Sequence, residues 1–586
     1  MIVLLSMEPF LQHPEEIRDD TFAVYQALKR CRENDCAVLT FPKSTYRFRP
    51  DKALERHAYI TNHDEGGLRR IAFPLFHFRG LTIDGQGSDF IFHGPMIPFM
   101  LENSEGVTLK NFSIDWDRPM FEQGVVVEAG ADSFDLQLSA DVEYRLIKGQ
   151  LIFAFGGRQE AVWGFDDIDP VTKAHAYQSG DRISWSAFKK LTLQEVGPGR
   201  IRVGGALRHH PRVGNVIAMR FGRRENPGIF LKDCADTRIE QVAIHHAPGM
   251  GLVAQRCTNI QMHALDVKLR PGTSRVVTAT ADATHFTNCR GRIEMAHCLF
   301  ENQLDDPCNV HGIYGQVTDL IAPDSFLLKL VHGMQKGVEI VAAGDLVQFV
   351  RHDSLLGFAE ASVQTVEPIS GDYSIVTVDK LPSGVKVGDV IENLTWIADL
   401  TVRHCEARAN RARGFLITTP GKVLLEHNVI SAPGAGVKIS GDANSWYESG
   451  AVRDVTIRHN TFLDCNYCSP DWGRAVIDID PEIERPDLHA ACYHRNIRIE
   501  NNEFRTFDTG LVYGHSIDGF TFKNNVVRQS GSYPVHRTMA YAIELQAVMN
   551  AEISGNEWHD GEAKARLNGT VHDFGREGGF ENDTGV

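Results

Sequence analysis

The sequence lacks a long apolar run, an excess of positive charge and paired zinc-type cysteines, and each absence removes a class of answer. No apolar stretch approaches the roughly 20 residues that cross a bilayer, so neither a span nor a membrane partner is expected. Lys plus Arg number 60 against 76 Asp plus Glu, a formal charge of −16. Nucleic-acid grooves need clustered Lys and Arg, and a local run such as Arg220-Phe-Gly-Arg-Arg224 is too short, so no nucleic-acid partner is expected. The 11 Cys are an odd number without zinc spacing, which fits reduced core residues. Cys465-x-x-Cys468 has no partner pair. Met1-Ile-Val-Leu-Leu-Ser carries no basic residue and only four apolar residues after the Met, so no signal peptide is expected. The cytoplasm is then the default compartment, with export following only if the start is truncated.

What is present is an ordinary globular composition, 586 residues at 42% hydrophobic and 23% charged with 52 Gly, able to bury a large core. The second half repeats one unit: Leu425-Glu-His-Asn428, Ile457-Arg-His-Asn460, Ile499-Glu-Asn-Asn502, Phe522-Lys-Asn-Asn525 and Ile553-Ser-Gly-Asn556. Its Asn residues are spaced by 32, 42, 23 and 31. Cys405 lies 23 before Asn428, and Cys257 lies 23 after Cys234. A short-strand coil of about 23 residues, enlarged by loops, reads as an all-β fold, a right-handed parallel β-helix. Successive coils stack at about 4.8 Å, so the Asn column is expected to be a structural ladder.

The segment from Pro14 to Cys31 has helical spacing and is expected to cap the open end of the coil. Two gaps, Phe112 to Val242 and Cys298 to Cys405, exceed any loop and alternate like antiparallel strands. The expected organisation is a cap and first coils over 1–120, an inserted β domain over 121–225, and coils over 226–312. A second inserted barrel over 313–396, coils over 397–560 and a loosely ordered tail over 561–586 complete it. The inserts serve either pocket shaping or self-association into a homo-oligomer.

Chemistry is carried by Thr280-Ala-Asp282-Ala-Thr-His285 and Asn302-Gln-Leu-Asp305-Asp306-Pro-Cys-Asn309-Val-His311. The offset 305 − 282 = 23 is one coil, so Asp282 is expected beside the Asp305-Asp306 pair. Crowded carboxylates push at least one pKa up, leaving one group protonated while others stay ionised. Glycoside hydrolysis requires that division: an acid for the leaving oxygen and a carboxylate acting on water or on the sugar. The alternatives are turn chemistry in a noncatalytic glycan-binding β-helix, or an acidic calcium site in a polysaccharide lyase with Arg270 or Arg275 as base. Sugar-binding candidates are His285, Asn302, Asn309, His311, Arg270, Trp446 and Tyr447, with Trp116 and Trp472 as further ring faces. His245-His246 is a poor joint metal site, because adjacent strand side chains point oppositely.

At Tyr59-Ile-Thr-Asn-His-Asp, Leu81-Thr-Ile-Asp-Gly-Gln-Gly, Leu109-Lys-Asn-Phe-Ser-Ile-Asp-Trp-Asp-Arg-Pro119, Asn226-Pro-Gly-Ile-Phe, His246-Ala-Pro-Gly-Met-Gly251 and the two Asp motifs, the sequence resembles the family 110 glycoside hydrolases, the α-1,3-galactosidases. The resemblance implies an inverting exo-enzyme acting on glycans with terminal α-1,3-linked galactose, with no metal and no cofactor. The chain is also similar, more distantly, to β-helix polygalacturonases, whose residue match makes Asp305 the proton donor and Asp282 with Asp306 the pair that activates water. Their Arg-Ile-Lys element has no counterpart here, which speaks against a uronic-acid substrate.

Overall fold

The computed structural model describes residues 4–8, 19–64, 67–468, 470–536, 539–559, 564–573 and 580–582. A parallel β-helix runs through it as three strand ladders. One passes through Leu252–Gln255, Thr284–Thr287, Cys308–Ile313, Phe415–Thr418, Val437–Ile439 and Ile477–Ile479. A second contains Thr258–Val267, Arg290–Ala296, Ala398–Arg403, Lys422–Glu426 and Asp454–Arg458. The third contains Leu299–Glu301, Glu406–Arg408, Val429–Ser431, Thr461–Leu463 and Glu503–Thr506. Inward residues such as Ile293, Leu400, Val423 and Val455 are buried in one continuous core. Burying each such side chain contributes roughly 1.5–3 kcal/mol.

The Asn column is a hydrogen-bonded ladder. The Asn428 amide accepts from the Cys405 backbone N–H at 2.9 Å, and Asn460, Asn502, Asn525 and Asn556 continue it, each Oδ1 accepting from the Asn one coil before. Each Nδ2 from Asn428 to Asn556 also donates to a backbone carbonyl, for example Asn502 to Ile457 O at 2.8 Å. At the preceding turn His297, His404, His427 and His459 stack at centroid spacings of 5.1 Å. These His adopt positive φ, where Asn501 and Asn524 replace them in later coils.

The cap helix is Thr21–Glu33, with Val24, Ala27, Leu28 and Cys31 buried against the first coils. It begins later than expected, and residues 14–18 lie outside the described residues. The first insert is an eight-stranded antiparallel sheet between Phe121–Ala129 and Val216–Phe221, and the second is a closed six-stranded barrel from Gly315–Ala322 to Val390–Asn393. Of the tail expected to be loosely ordered, residues 564–573 and 580–582 are described, and they carry strands. Lys564–Leu567 adds a parallel strand to Ile543–Ser554, and Phe580–Asn582 pairs antiparallel with that same strand, because the last coil otherwise exposes an unpaired edge. Among the described residues, no helix is long and apolar enough to cross a membrane.

Asn502→Ala removes buried partners from both neighbouring coils and should cost about 1–3 kcal/mol for the groups left unsatisfied. The expected outcome is a lower urea midpoint with native-like circular dichroism before the transition; an unchanged midpoint would show that the ladder is not stabilising.

Candidate active site

The three Asp of the sequence motifs converge. Thr284–Thr287 pairs with Cys308–Ile313 in the register Thr284↔Cys308. The coil is thus 24 residues at this point, which sets Asp306, rather than Asp305, level with Asp282. One oxygen from each carboxylate lies within 4.8 Å of the others. All three line a cavity of about 380 Å³.

Three guanidiniums balance them. Arg224 Nη2 donates to Asp305 Oδ2 at 2.8 Å and Arg411 Nη1 to Oδ1 at 3.3 Å. Arg413 takes both oxygens of Asp306, at 3.1 and 2.8 Å, and adds its backbone N–H at 3.0 Å. Asp282 Oδ2 faces His285 Nδ1 at 2.7 Å. Five of the six oxygens therefore already have protein partners, with only Asp282 Oδ1 outside that set. This is the one grouping among the described residues with metal-ligand spacing, yet cations of the chain already occupy its surroundings.

Behind Asp282 runs a chain of hydrogen bonds whose protons can be counted. Gly312 O can only accept, so His311 Nδ1 at 2.6 Å must carry a proton. His311 Nε2 and His285 Nε2 share one at 2.9 Å, and His285 Nδ1 and Asp282 Oδ2 share another. Three bonds hold three protons, which leaves the Asp282–His285–His311 unit with no net charge and one dissociable proton. Burial pushes His285 down to about 3, while burial and the Asp305 charge push Asp282 up to about 8, so the proton belongs to Asp282. Asp305 moves the other way: burial opposes it, but Arg411 and Arg224 hold it below the usual carboxylate range. Burial pushes Asp306 up to about 7 against the pull of Arg413.

The remaining sequence candidates divide. Asn309 and Trp446 line the cavity, as does Trp472, whose Nε1 donates to Asp181 Oδ2 at 3.0 Å. His285 and His311 stand behind Asp282 rather than in the cavity. Asn302 is tied to Lys173 O and Val276 O. Arg270 and Arg275 both pair with Asp115, at 3.1 and 2.6 Å, so neither is placed to act as a lyase base. Tyr447 and Trp116 are buried in packing. His246 Nε2 accepts the Met120 backbone N–H, a structural contact.

Sequence reasoning missed Arg224, Arg411, Arg413, Glu448 and Asn62. One signal existed for Arg413: the offset of 107 from Cys298 to Cys405 also carries Asp306 onto Arg413. Glu448 offered none, since it lies outside the repeat on the short strand Glu448–Ser449, paired antiparallel with Gly312 and Ile313, and its Oε1 accepts from Asn62 at 3.3 Å and Asn309 at 3.2 Å.

The cavity is closed on one side. Asn309 and Leu416 of its lining belong to a register column of outward-facing residues that runs back through His285, Val253, Phe230 and Met100. Ala58 and Ile60 of the N-terminal hairpin pack over the apolar members of that column. Thr61 seals the joint, its N–H donating to Gln255 Oε1 at 3.2 Å and its hydroxyl to Gln335 Oε1 of the second insert at 2.7 Å.

Comparison with known proteins agrees with this architecture. Residues 122–217 match the family described as GLAA-B beta-barrel domain I and residues 325–391 match GLAA-B beta-barrel domain II. The chain is 34% identical to Alpha-1,3-galactosidase B of Bacteroides thetaiotaomicron, covering 94% of this chain and 91% of that protein. It is 34% identical to Alpha-1,3-galactosidase A of Shewanella woodyi (94% and 90%) and 36% identical to Alpha-1,3-galactosidase B of Phocaeicola vulgatus (90% and 90%). Among solved structures, a Family 28 exopolygalacturonase of Yersinia enterocolitica aligns at 10% identity and TM-score 0.37, covering 94% of this chain and 78% of that one. Identity over nearly the whole length, both inserts included, shows that the chain belongs to the α-1,3-galactosidases, glycoside hydrolase family 110.

Proposed function

We propose that the protein is an exo-acting glycoside hydrolase that removes terminal α-1,3-linked galactose from glycans. The observation that carries this reading is a cavity holding three carboxylates and closed toward the N-terminal coils, which admits a chain end and not a chain interior. The bond specificity comes from the family. The lining favours a neutral sugar: of its four cations, Arg224, Arg413 and Lys438 each already pair with a carboxylate and Arg474 lies over the Tyr513 ring.

For the chemistry we assign the proton donor to Asp282, which holds the dissociable proton of the resting site. Asp305, kept ionised by two guanidiniums, draws the proton from water as it attacks C1. A second reading, the one implied by the resemblance, makes Asp305 the donor and Asp282 with Asp306 the water-activating pair. It is favoured by position, since Asp305 lies one coil nearer the open end, where the leaving group departs.

A substrate with an activated aryl leaving group separates the two, because it needs no acid. Both Asp282→Asn and Asp305→Asn should slow disaccharide hydrolysis by about 10²–10⁴-fold. Asp282→Asn should keep near-normal turnover of the aryl galactoside and Asp305→Asn should not; the reverse pattern assigns the acid to Asp305.

The pH dependence follows from the same assignment. An acid with a raised pKa works while protonated, so kcat/KM should fall as pH rises through about 8, where Asp282 loses its proton. On the acid side activity should persist below the usual carboxylate range, until Asp305 protonates. A pH–rate profile with no alkaline limb up to pH ~10 would sink the assignment of the acid to Asp282.

The stereochemical course we propose is inversion, on the family resemblance. Inverting pairs usually hold their carboxyl groups roughly 6.5–9.5 Å apart and retaining pairs roughly 5–5.5 Å, and here one oxygen of each Asp lies within 4.8 Å of the others. Anomer-resolved NMR of the first product decides: β-galactose supports single displacement, and α-galactose makes Asp305 a nucleophile.

A further inference from the structure

The cavity does not end at the three Asp on its other side. It shares Arg474, Asp480 and Glu482 with a second cavity of about 380 Å³. That one shares Pro486, Tyr513 and Gln546 with a third of about 560 Å³. The three form one groove along the C-terminal coils. Its floor continues the same outward column, in the register Leu416↔Lys438↔Asp478↔Tyr513↔Glu544↔Arg566. From Lys438 to Arg566 is four coil steps, about 19 Å at the spacing of neighbouring strands. Lys438, Tyr513 and Glu544 of this column are half-buried and Arg566 at its end is exposed, while Asp478 between Lys438 and Tyr513 is buried.

The floor is built for hydroxyl-rich ligands. Lys438 and Asp478 neutralise each other at 3.3 Å, and Glu544 and Arg566 add one charge of each sign farther along, which gives donors and acceptors without a field that would select a polyanion. Tyr513 supplies an aromatic surface midway, its ring held by the Arg474 guanidinium at 4.4 Å from the centroid. A ring of this kind meets the C–H face of a sugar, with polar groups on either side to take its hydroxyls.

We propose that this groove binds the remainder of the glycan, the sugars on the reducing side of the bond that is cut. The substrate class is then an extended oligosaccharide ending in α-galactose, and the disaccharide is a truncated substrate. This rests on the exo-hydrolase reading above: the closed end receives the terminal galactose, and the cavity continues over Tyr513 toward Arg566.

The test compares galactose release from an α-1,3-galactosyl disaccharide and from a pentasaccharide with the same terminus, in the wild type, Tyr513→Ala and Arg566→Ala. The wild type should show kcat/KM about tenfold higher for the pentasaccharide, the size expected of one well-formed ring contact. That ratio should fall toward one in Tyr513→Ala and be reduced in Arg566→Ala, whose exposed position makes it tolerant if the first variant fails to fold. Equal efficiency on the two substrates in the wild type, or a ratio unchanged in both variants, overturns the proposal.

Calorimetry with the same oligosaccharide lacking its terminal galactose judges the groove without turnover. Binding by the wild type that weakens about tenfold in Tyr513→Ala supports the groove even if no galactose is released, an outcome that would sink only the hydrolase reading. No binding by the wild type overturns the groove while leaving hydrolysis standing.

Discussion

Backbone hydrogen bonding between successive coils sets the ruler by which everything in this molecule is placed. A parallel strand must keep register with the strand below it, so a residue in one coil is held about 4.8 Å from its counterpart in the next, however long the loops between them. Side chains that share a register position become columns. Turned inward, the columns make the apolar core; at one turn they make the Asn ladder; on one outer face they make the floor of the cavity and of the groove beyond it. The inserts exploit the same tolerance. A loop may grow to a whole domain between His311 and Ala398 without disturbing the pairing of Cys308 with Phe415, since register depends on the strands alone.

The site draws its electrostatics from parts distant in sequence. Asp282 and the Asp305-Asp306 pair come from adjacent coils, but Arg224 arrives at the end of the first insert, and Arg411 and Arg413 follow the second. Arg411 is itself oriented by Asp181 of the first insert at 2.7 Å. The result is a buried cluster in which burial pushes Asp282 and Asp306 up while guanidiniums hold Asp305 down. Neither effect alone would suffice: three ionised carboxylates so close would repel one another, and three protonated ones would leave no base. The histidines behind Asp282 keep its proton in place by offering an acceptor whose own protons are spoken for.

Access is decided by what covers the outer column. Where it is apolar, at Met100, Phe230 and Val253, the N-terminal hairpin packs on it; at Asn309, Leu416 and the polar Lys438 and Asp478 beyond, it lines the cavity. One face thus changes from interface to binding surface within a few coils, and the carboxylates sit at the boundary. The second insert contributes by bonding Gln335 to Thr61 and Asn62, which fastens the closed end.

Much of this was legible in the sequence because periodicity survives interruption. The Asn spacings from Asn428 to Asn556, the two inserts and the neighbourhood of Asp282 with Asp305 and Asp306 all follow from strand-sized repeats, which obey local rules of alternation and turn chemistry. What only the tertiary structure decided was anything that crosses from one repeat to another through a loop. Residue type could nominate His285 and His311 for the sugar, but only the hydrogen-bonded chain they form behind Asp282 turned them into its proton partners. The offset of 23 placed Asp282 and Asp305 together, yet the register in space is 24 and joins Asp282 to Asp306. Glu448 and the arginines reach the site from segments with no repeat signal, and charge balance among buried groups is a property of distances that a linear pattern does not contain.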